Sequence, residues 1–349
     1  MTNEQWQILL NVIRGKMNVS SETIPAGFII DSPWLPGWYG CSTLDYFASD
    51  EIWFEANRRA VETFPDVMFL PGFWAEYGMC TEPSAFGARC IWNENNLPHA
   101  DRIIEDVDDL PEFYKNFHRP DVSVAGMLPF VLSRLRRMEP AVQRIGHEYR
   151  FAVARGPLNI LSFLMGTTDF LMALKLYEEE AHALLNEVSE FLIDWIGLQL
   201  KTFPSMDGIL LLDDIVGFLG EDDCRAFAVP YLKKIYGAFD VSVKFLHNDA
   251  EGRVCAPFLP ETGVNLFNFS FNHSIPEMQA LTKGQVALLG NIPPRDVLAQ
   301  ETPAQVEACV HETLAAVECK RRLILSAGGG MPQDVSTENI HAFLKGMKT

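Results

Sequence analysis

Two short acidic segments carry the side chains best suited to chemistry. His247 and Asp249 stand two residues apart at the end of an apolar run, and side chains two positions apart in an extended segment point to the same side. This pair could therefore exchange protons with a bound molecule or bind a metal ion, or it could be a hydrogen-bonded structural pair. Asp213 and Asp214 follow another apolar run, where an aspartate could take part in catalysis or cap the next helix.

The elements that must position these side chains alternate regularly. Short apolar runs, typical of parallel strands buried on both faces, alternate with stretches whose apolar residues recur at helical spacing. Thr302, Pro303 and Gln305 together predict the start of one such helix, and Ser336 predicts the start of the last. The predicted strands are Ala26–Asp31, Val67–Pro71, Arg150–Arg155, Gly208–Asp213, Ser242–His247, Asn265–Ser270, Val286–Asn291 and Leu323–Ala327.

This alternation predicts the α/β class and a TIM-type (β/α)8 barrel, with residues 1–349 forming a single domain. An open, doubly wound sheet is the competing architecture. It usually has a glycine-rich first turn, and neither GxGxxG nor GxxxxGK[ST] occurs in the sequence. The longest insertion, about residues 72–148 between the second and third strands, is expected to hold extra helices and a flap.

Reactive residues of a barrel lie where strands end and the following loops begin. Aromatic residues after the first two strands could wall an apolar pocket, belong to the core, or form a homodimer interface. The predicted substrate-binding residues, all at or beyond the ends of the first three strands, are Asp31, Trp34, Trp38, Tyr39, Trp74, Glu76, Arg155 and Asn159.

The composition excludes several classes of protein. The chain has 46 acidic and 28 basic residues, a net charge of −18, so the basic face of a nucleic-acid or anionic-membrane binder is not expected. The sequence contains no run of about 18 uncharged apolar residues, so a membrane span is not expected. The seven cysteines include no CxxC pair. A disulfide framework is therefore not expected, and a cytoplasmic location is.

The strand-end motifs, in their order and spacing, resemble the uroporphyrinogen decarboxylase superfamily, and within it the cobalamin-dependent methyltransferase branch. The resemblance covers most of the chain, is strongest from about residue 150 onward, and implies a TIM-type barrel. It is carried by Gly156-Pro157-Leu158, Leu212-Asp213-Asp214, Phe245-Leu246-His247-Asn248-Asp249, Leu289-Gly290-Asn291-Ile292-Pro293-Pro294 and Ala327-Gly328-Gly329-Gly330-Met331.

The sequence departs from both chemistries of that superfamily. The decarboxylases bind porphyrinogen carboxylates with arginines in a segment that corresponds here to residues 31–39, which contain none, and their late histidine aligns with Gly329. The thiol-methylating enzymes bind zinc through an HxC motif and a late cysteine, and here Asp249 and Gly329 replace the two cysteines. A nitrogen and oxygen site, with zinc among the candidate metals, could still use His247, Asp249, Glu251 and His273.

The resemblance therefore implies the demethylating half of methyl transfer, as in an O-demethylase. A methyl group would pass from a small O-methyl substrate, expected to be a methoxylated aromatic, or from an N-methyl substrate, to a corrinoid (cobalamin) carried by a corrinoid-binding partner protein. His247 and Asp249 would activate the leaving group, with Asp213 and Asp214 assisting. The alternatives are a uroporphyrinogen-type decarboxylase and a non-catalytic corrinoid or small-molecule binding protein of the same fold.

Overall fold

A computed structural model describes residues 1–17, 24–30 and 33–348, and it contains all eight predicted strands. They form one curled sheet in the order β2-β1-β8-β7-β6-β5-β4-β3, in which every neighbouring pair is parallel. The prediction of a TIM-type barrel is thereby confirmed. The strands are β1 Ala26–Ile29, β2 Val67–Leu70, β3 Phe151–Arg155, β4 Gly208–Leu212, β5 Val243–Asn248, β6 Leu266–Phe269, β7 Ala287–Ile292 and β8 Leu323–Ala327.

The two ends of the sheet, β2 and β3, are not joined by a ladder within the described residues. A side chain bonds to the open edge of β3 instead. Gln199 accepts a hydrogen bond from the Val153 N–H through Oε1 and donates one to the Val153 carbonyl through Nε2, both at 3.0 Å. The N–H and C=O of Val153, which is partly buried at this edge, are therefore both paired, which avoids the cost of leaving them unbonded.

Side chains alternate along the strands between two hydrophobic clusters. Val67 and Phe69 of β2 pack in the large outer cluster with the helices, whereas Met68 and Leu70 pack in a smaller inner one. The first helix also belongs to the inner cluster. Its Trp6 meets Phe151, the first residue of β3, edge to face at a centroid distance of 5.5 Å. This helix therefore covers the end of the barrel opposite the strands' carboxyl ends.

The helices surround the sheet and form most of the connections between its strands. The capping box predicted from Thr302 and Gln305 is present, and the Ser336 side chain accepts a hydrogen bond from the Asn339 N–H. The α-helices are α1 Asn3–Ile13, α2 Leu35–Tyr39, α3 Thr43–Ala48, α4 Asp50–Thr63, α5 Thr81–Ala85, α6 Leu110–Lys115, α7 Leu128–Arg144, α8 Pro157–Met165, α9 Thr167–Leu176, α10 Glu178–Thr202, α11 Glu221–Asp223, α12 Val229–Gly237, α13 Leu259–Thr262, α14 Ile275–Leu281, α15 Pro303–Ala315 and α16 Thr337–Gly346.

Shorter helical segments lie mainly in the loops at the carboxyl ends of the strands. The insertion between β2 and β3 contains α5, α6 and α7, together with a two-stranded antiparallel ribbon of Cys90–Ile91 and His99–Ala100. Among the described helices none is by itself long and apolar enough to cross a membrane, and only the pair α8 and α9, bent by 107°, passes on length and composition. The 3₁₀ and π segments are Val107–Asp109, Asp214–Phe218, Cys224–Ala228, Ala256–Phe258 and Pro294–Ala299.

Candidate active site

Asp214, His247 and Asp249 meet at the carboxyl ends of two neighbouring strands. The register of the parallel pair sets Leu212 of β4 beside His247 of β5, which brings the two strand ends to one level. His247 Nε2 lies 3.7 Å from Asp214 Oδ1 and 3.9 Å from Asp249 Oδ2. The Asp249 backbone N–H also donates to Asp214 Oδ1 at 3.1 Å. The two carboxylates are therefore held on the same side of one imidazole ring.

A hydrogen bond to Asn268 of β6 fixes the orientation of the His247 ring. The Asn268 amide nitrogen donates to the carbonyls of Leu289, at 2.7 Å, and Ala327, at 3.2 Å. Its Oδ1 must therefore face the imidazole, where it accepts a hydrogen bond from the Nδ1–H of His247 at 2.7 Å. With the hydrogen on Nδ1, the Nε2 atom of a neutral His247 presents a lone pair to the two carboxylates.

This group can accommodate a cation or a proton. Burial raises the pKa of Asp249, His247 lowers it, and Asp214 raises it again because the two carboxylates repel each other. The candidate ligand atoms of the three residues all lie within 4.8 Å of one another. One imidazole and two carboxylates suit a divalent transition metal such as zinc. Asp249 is half exposed while the His247 side chain is only 7% exposed, so the open side of the group is at Asp249.

The β8 loop closes against this group through a glycine. Gly329 has a φ of +132°, and a Cβ added there would lie 3.1 Å from Asp249 Oδ2. A side chain at this position would therefore be strained and would crowd the carboxylate. The decarboxylases have a histidine at this position and the thiol-methylating enzymes a cysteine. Gly329 instead contributes only backbone atoms beside Asp249.

Asp213 lies on the other side of the strand end and caps a helix. Its carboxylate accepts the backbone N–H groups of Leu158 and Asn159 at the start of α8, both at 3.0 Å. It is fully buried, and burial raises its pKa well above the usual range. Of the two roles open to Asp213 from the sequence, the structure shows the capping one: its carboxylate is bonded to α8, and only its backbone N–H meets His247, donating to the His247 carbonyl at 3.0 Å.

Asn159 helps to position Asp214. Its amide nitrogen donates to the Leu212 carbonyl at 3.1 Å and lies 3.5 Å from Asp214 Oδ2, while its Oδ1 accepts the Ile215 N–H at 3.2 Å. Asn159 was predicted to bind substrate, but it is buried and bonded to the backbone that follows β4. The structure therefore places it behind Asp214, on the side away from the open mouth.

Glu251 and His273, the other predicted metal ligands, form a separate pair. His273 Nε2 lies 2.7 Å from Glu251 Oε1 and faces the Gly252 N–H at 3.2 Å. Within the described part of the chain, the one group of three ligand atoms close enough to share an ion contains neither residue. The structure thus brings together only two of the four predicted ligands, His247 and Asp249, and adds Asp214 to them.

The predicted substrate residues after β2 and β3 form a buried ionic cluster. Arg155 and Glu76 pair at 2.7 Å, and the Arg155 guanidinium lies 5.6 Å from the Trp74 ring centroid. Glu82, next to this pair, is fully buried, and burial raises its pKa to about 7. The three predicted residues therefore contact one another around a cavity of only about 10 Å³, and their role in substrate binding stays a prediction.

The predicted aromatic residues after β1 lie near a second polar region. Trp34 stacks on Trp38 at 4.9 Å, and its indole N–H donates to the Val335 carbonyl at 2.9 Å. Both rings line a cavity of about 330 Å³, and Tyr39, beside Trp38 on α2, packs under the Arg59 guanidinium. Asp31, the remaining predicted residue of this group, lies outside the described residues.

A larger cavity of about 630 Å³ adjoins the first and shares Gln333 and Asp334 with it. Its wall includes Arg295, which the sequence analysis did not select. Its position in the sequence could have identified it, because Arg295 lies three residues after the end of β7, where a barrel places functional side chains. The described lining residues are Pro33, Asn96, Leu97, Arg295, Ala299, Gln300, Pro332, Gln333 and Asp334.

The fold and the site define a TIM-type barrel with a titratable cluster at the carboxyl ends of its strands. The family model described as Uroporphyrinogen decarboxylase (URO-D) matches residues 39–349. The chain therefore belongs to the URO-D family, as the strand-end motifs indicated.

Relatives and solved structures extend this assignment. A uroporphyrinogen decarboxylase from Methylobacillus flagellatus is 22% identical over 328 residues, 87% of this chain and 84% of that protein. One from Chloroherpeton thalassium is 26% identical over 180 residues, 49% of each chain. The chain thus spans about half the length of several curated relatives that it matches.

The structural neighbours show the fold. A methyltransferase from Methanosarcina mazei superposes with a TM-score of 0.79 at 16% identity, covering 97% of this chain and 96% of that chain. A B12-independent methionine synthase from Shewanella sp. W3-18-1, in complex with selenomethionine, has a TM-score of 0.54 at 12% identity and covers 93% of this chain and 96% of that chain.

Proposed function

We propose that this chain is a methyltransferase of the O-demethylase type. It moves a methyl group from a small O-methyl compound, first of all a methoxylated aromatic, or from an N-methyl compound, to a corrinoid carried by a partner protein. The observation that carries the proposal is the orientation of His247. Asn268 holds its Nδ1 at 2.7 Å, so that Nε2 faces Asp214 and Asp249 at the mouth of the barrel.

The chemistry needs a good leaving group more than it needs a protein nucleophile. The bond between the methyl carbon and oxygen breaks, the methyl group bonds to the reduced corrinoid, and the electron pair stays on oxygen as a phenolate or alkoxide. That oxygen requires a proton or a Lewis acid. His247 and Asp249 can hold a proton at the leaving atom, and one general acid contributes about 10²–10⁴-fold to such a step.

A divalent cation fits the same group. Asp214, His247 and Asp249 would hold it, since their ligand atoms are already close together and two carboxylates supply the negative charge it needs. Zinc or a similar ion would supply Lewis-acid polarisation of the leaving oxygen. Among the described residues that form this group there is no cysteine, so the arrangement favours neither thiolate ligation of the metal nor thiol methylation.

The cavity favours a small substrate over a porphyrinogen. A uroporphyrinogen carries eight carboxylates, and Arg295 is the one cation among the described residues that line the 630 Å³ cavity. Arg155, at the end of β3, is already paired with Glu76. We therefore expect no conversion of uroporphyrinogen to coproporphyrinogen by the purified protein, and turnover at an ordinary enzymatic rate would refute this part of the proposal.

The test follows loss of cob(I)alamin absorption with a panel of methoxylated aromatics, then methylamines and betaines. Each donor is assayed with free cob(I)alamin and with a corrinoid protein from the same genome. His247→Ala should reduce the rate on the best donor by about 10²–10⁴-fold, while His311→Ala, an exposed histidine on α15, should not.

Two results would contradict the proposal. If His247→Ala keeps the wild-type rate, the cluster at the ends of β4 and β5 does not activate the leaving group. If no donor methylates the corrinoid with the partner present, a non-catalytic binding protein of the same fold becomes the better description.

A further inference from the structure

One arginine at the mouth of the barrel has no ion pair among the described residues. Arg295 follows β7, is exposed, and lines the 630 Å³ cavity. Within the described ranges it makes no ion pair or hydrogen bond. The arginine at the carboxyl end of β3 differs, since Arg155 is paired with Glu76 at 2.7 Å.

The cavity beside Arg295 and the His247 group lie against the same loop. The β8 loop connects them, because Gly329 packs against Asp249, and Pro332, Gln333 and Asp334 of the same loop line the cavity. A molecule that fills the cavity therefore contacts Arg295 and the same loop that packs against Asp249.

The lining of the cavity favours a single negative charge. Arg295 is its one cation and Asp334 its one anion, and the other polar groups are the neutral amides of Asn96, Gln300 and Gln333. In a chain of net charge −18, an unpaired guanidinium is the main attraction for an anion at this mouth. A guanidinium matches a carboxylate in geometry and can bind it with two parallel hydrogen bonds.

We propose that Arg295 binds a carboxylate group of the methylated substrate. That the bound molecule carries a transferable methyl group rests on the proposed function. The carboxylate site itself does not. The substrate class is then a small monocarboxylate that carries a methyl ether or a methylated amine, such as a methoxybenzoate or a betaine. A cavity of about 630 Å³ lies within the range that holds molecules of this size.

The experiment measures binding rather than turnover, by calorimetry on the purified full chain. The probes are 3-methoxybenzoate and 4-methoxybenzoate, each compared with the methoxybenzyl alcohol of the same substitution, and glycine betaine compared with choline. Wild type is compared with Arg295→Gln, with Arg295→Lys, and with Arg136→Gln as a matched control. Arg136 is exposed on α7 and likewise lacks an ion pair among the described residues.

We expect at least one carboxylate to bind wild type about tenfold or more tightly than its analogue without the carboxylate, because a hydrogen bond to a charged group is worth more than a neutral one. Arg295→Gln should abolish this preference, Arg295→Lys should retain part of it, and Arg136→Gln should leave it unchanged. A carboxylate preference that survives Arg295→Gln, or the absence of any preference in wild type at millimolar concentrations, would overturn the inference.

The outcome is separable from that of the proposed function. If the carboxylate preference depends on Arg295 but no donor methylates a corrinoid, the binding site stands and the methyltransferase proposal fails. If methyl transfer occurs and Arg295→Gln changes neither the carboxylate preference nor KM, the proposed function stands and this inference fails.

Discussion

Replacing Asn268 by alanine tests whether the site depends on the orientation of His247. Asn268 is fully buried, accepts a hydrogen bond from His247 Nδ1–H, and donates to the carbonyls of Leu289 and Ala327. At about 1 kcal/mol for each hydrogen bond, its three bonds predict a loss of about 3 kcal/mol in the free energy of unfolding. Removing the residue that hydrogen-bonds to the second ring nitrogen of a functional histidine typically lowers activity or metal affinity 10–100-fold. That loss in activity corresponds to about 1.4–2.7 kcal/mol of transition-state stabilisation.

Asn339 supplies the matched control for this substitution. It is also buried, and its amide nitrogen donates to two backbone carbonyls, those of Leu298 at 2.8 Å and Glu301 at 2.9 Å, but it makes no hydrogen bond to Asp214, His247 or Asp249. Asn339→Ala should therefore cost about 2 kcal/mol in stability and leave the rate of methyl transfer unchanged. Urea unfolding measures the stability of both variants, and the cob(I)alamin assay measures their rates under conditions where both remain folded.

A spectroscopic measurement separates orientation from general destabilisation. In ¹⁵N-histidine-labelled wild type the His247 ring should carry its hydrogen on Nδ1 when neutral, with the His247→Ala spectrum identifying the signal. Asn268→Ala should mix the two tautomers, whereas Asn339→Ala should not. The reasoning would be refuted if Asn268→Ala kept the wild-type rate, or if Asn339→Ala lost as much rate for a similar loss of stability.

Three further predictions concern the Asp213 carboxylate that caps α8, the buried Glu82 and the metal. Gly156→Ala should destabilise the protein by about 1–3 kcal/mol, because the added Cβ would lie 2.2 Å from the carboxylate that caps α8. Gly220→Ala, at nearly the same backbone angles with nothing within 4 Å, should be close to neutral in urea unfolding. Between pH 4.5 and about 7 the folded state keeps a proton on Glu82 that the unfolded chain has lost. Stability should therefore fall by up to about 3 kcal/mol as the pH rises, and a Glu82→Gln variant with the same slope would contradict this. Any metal found by elemental analysis should be lost in the His247→Ala, Asp249→Ala double variant, and X-ray absorption should show no Zn–S distance near the typical value of about 2.3 Å.

The fold could be predicted from the sequence because the strands are buried on both faces. Val67–Leu70 and Gly208–Leu212, for example, are buried throughout, so each appears in the sequence as a continuous apolar run. The rule that strands end in functional residues then selected His247 and Asp249, which the structure does bring together. These features are local in the chain, which is why pattern and spacing were sufficient.

The rest of the site depends on contacts between distant segments. Asn268 lies 21 residues beyond His247 and meets it only through the pairing of β5 with β6. The sequence also offered no means to separate Asp213, which turns back to cap α8, from its neighbour Asp214, which faces the histidine. Glu76 and Arg155 were selected individually as substrate ligands, but the curvature of the sheet brings their opposite charges together and buries them. Pairing of this kind is decided by topology and cannot be read from either segment alone.

The charges at the mouth of the barrel are distributed in a way that suits an anionic methyl donor. The two side chains that orient the cluster, Asn159 and Asn268, are uncharged amides, so its charge is set by Asp214, Asp249 and His247 alone. With a neutral imidazole and both carboxylates ionised, the cluster would repel a carboxylate and attract a proton or a metal ion. The one unpaired guanidinium in the described lining stands across the β8 loop from it. A methoxybenzoate whose carboxylate binds Arg295 would therefore direct its uncharged methoxy end, rather than its anionic end, toward Asp249, where the leaving oxygen must receive a proton or meet a cation.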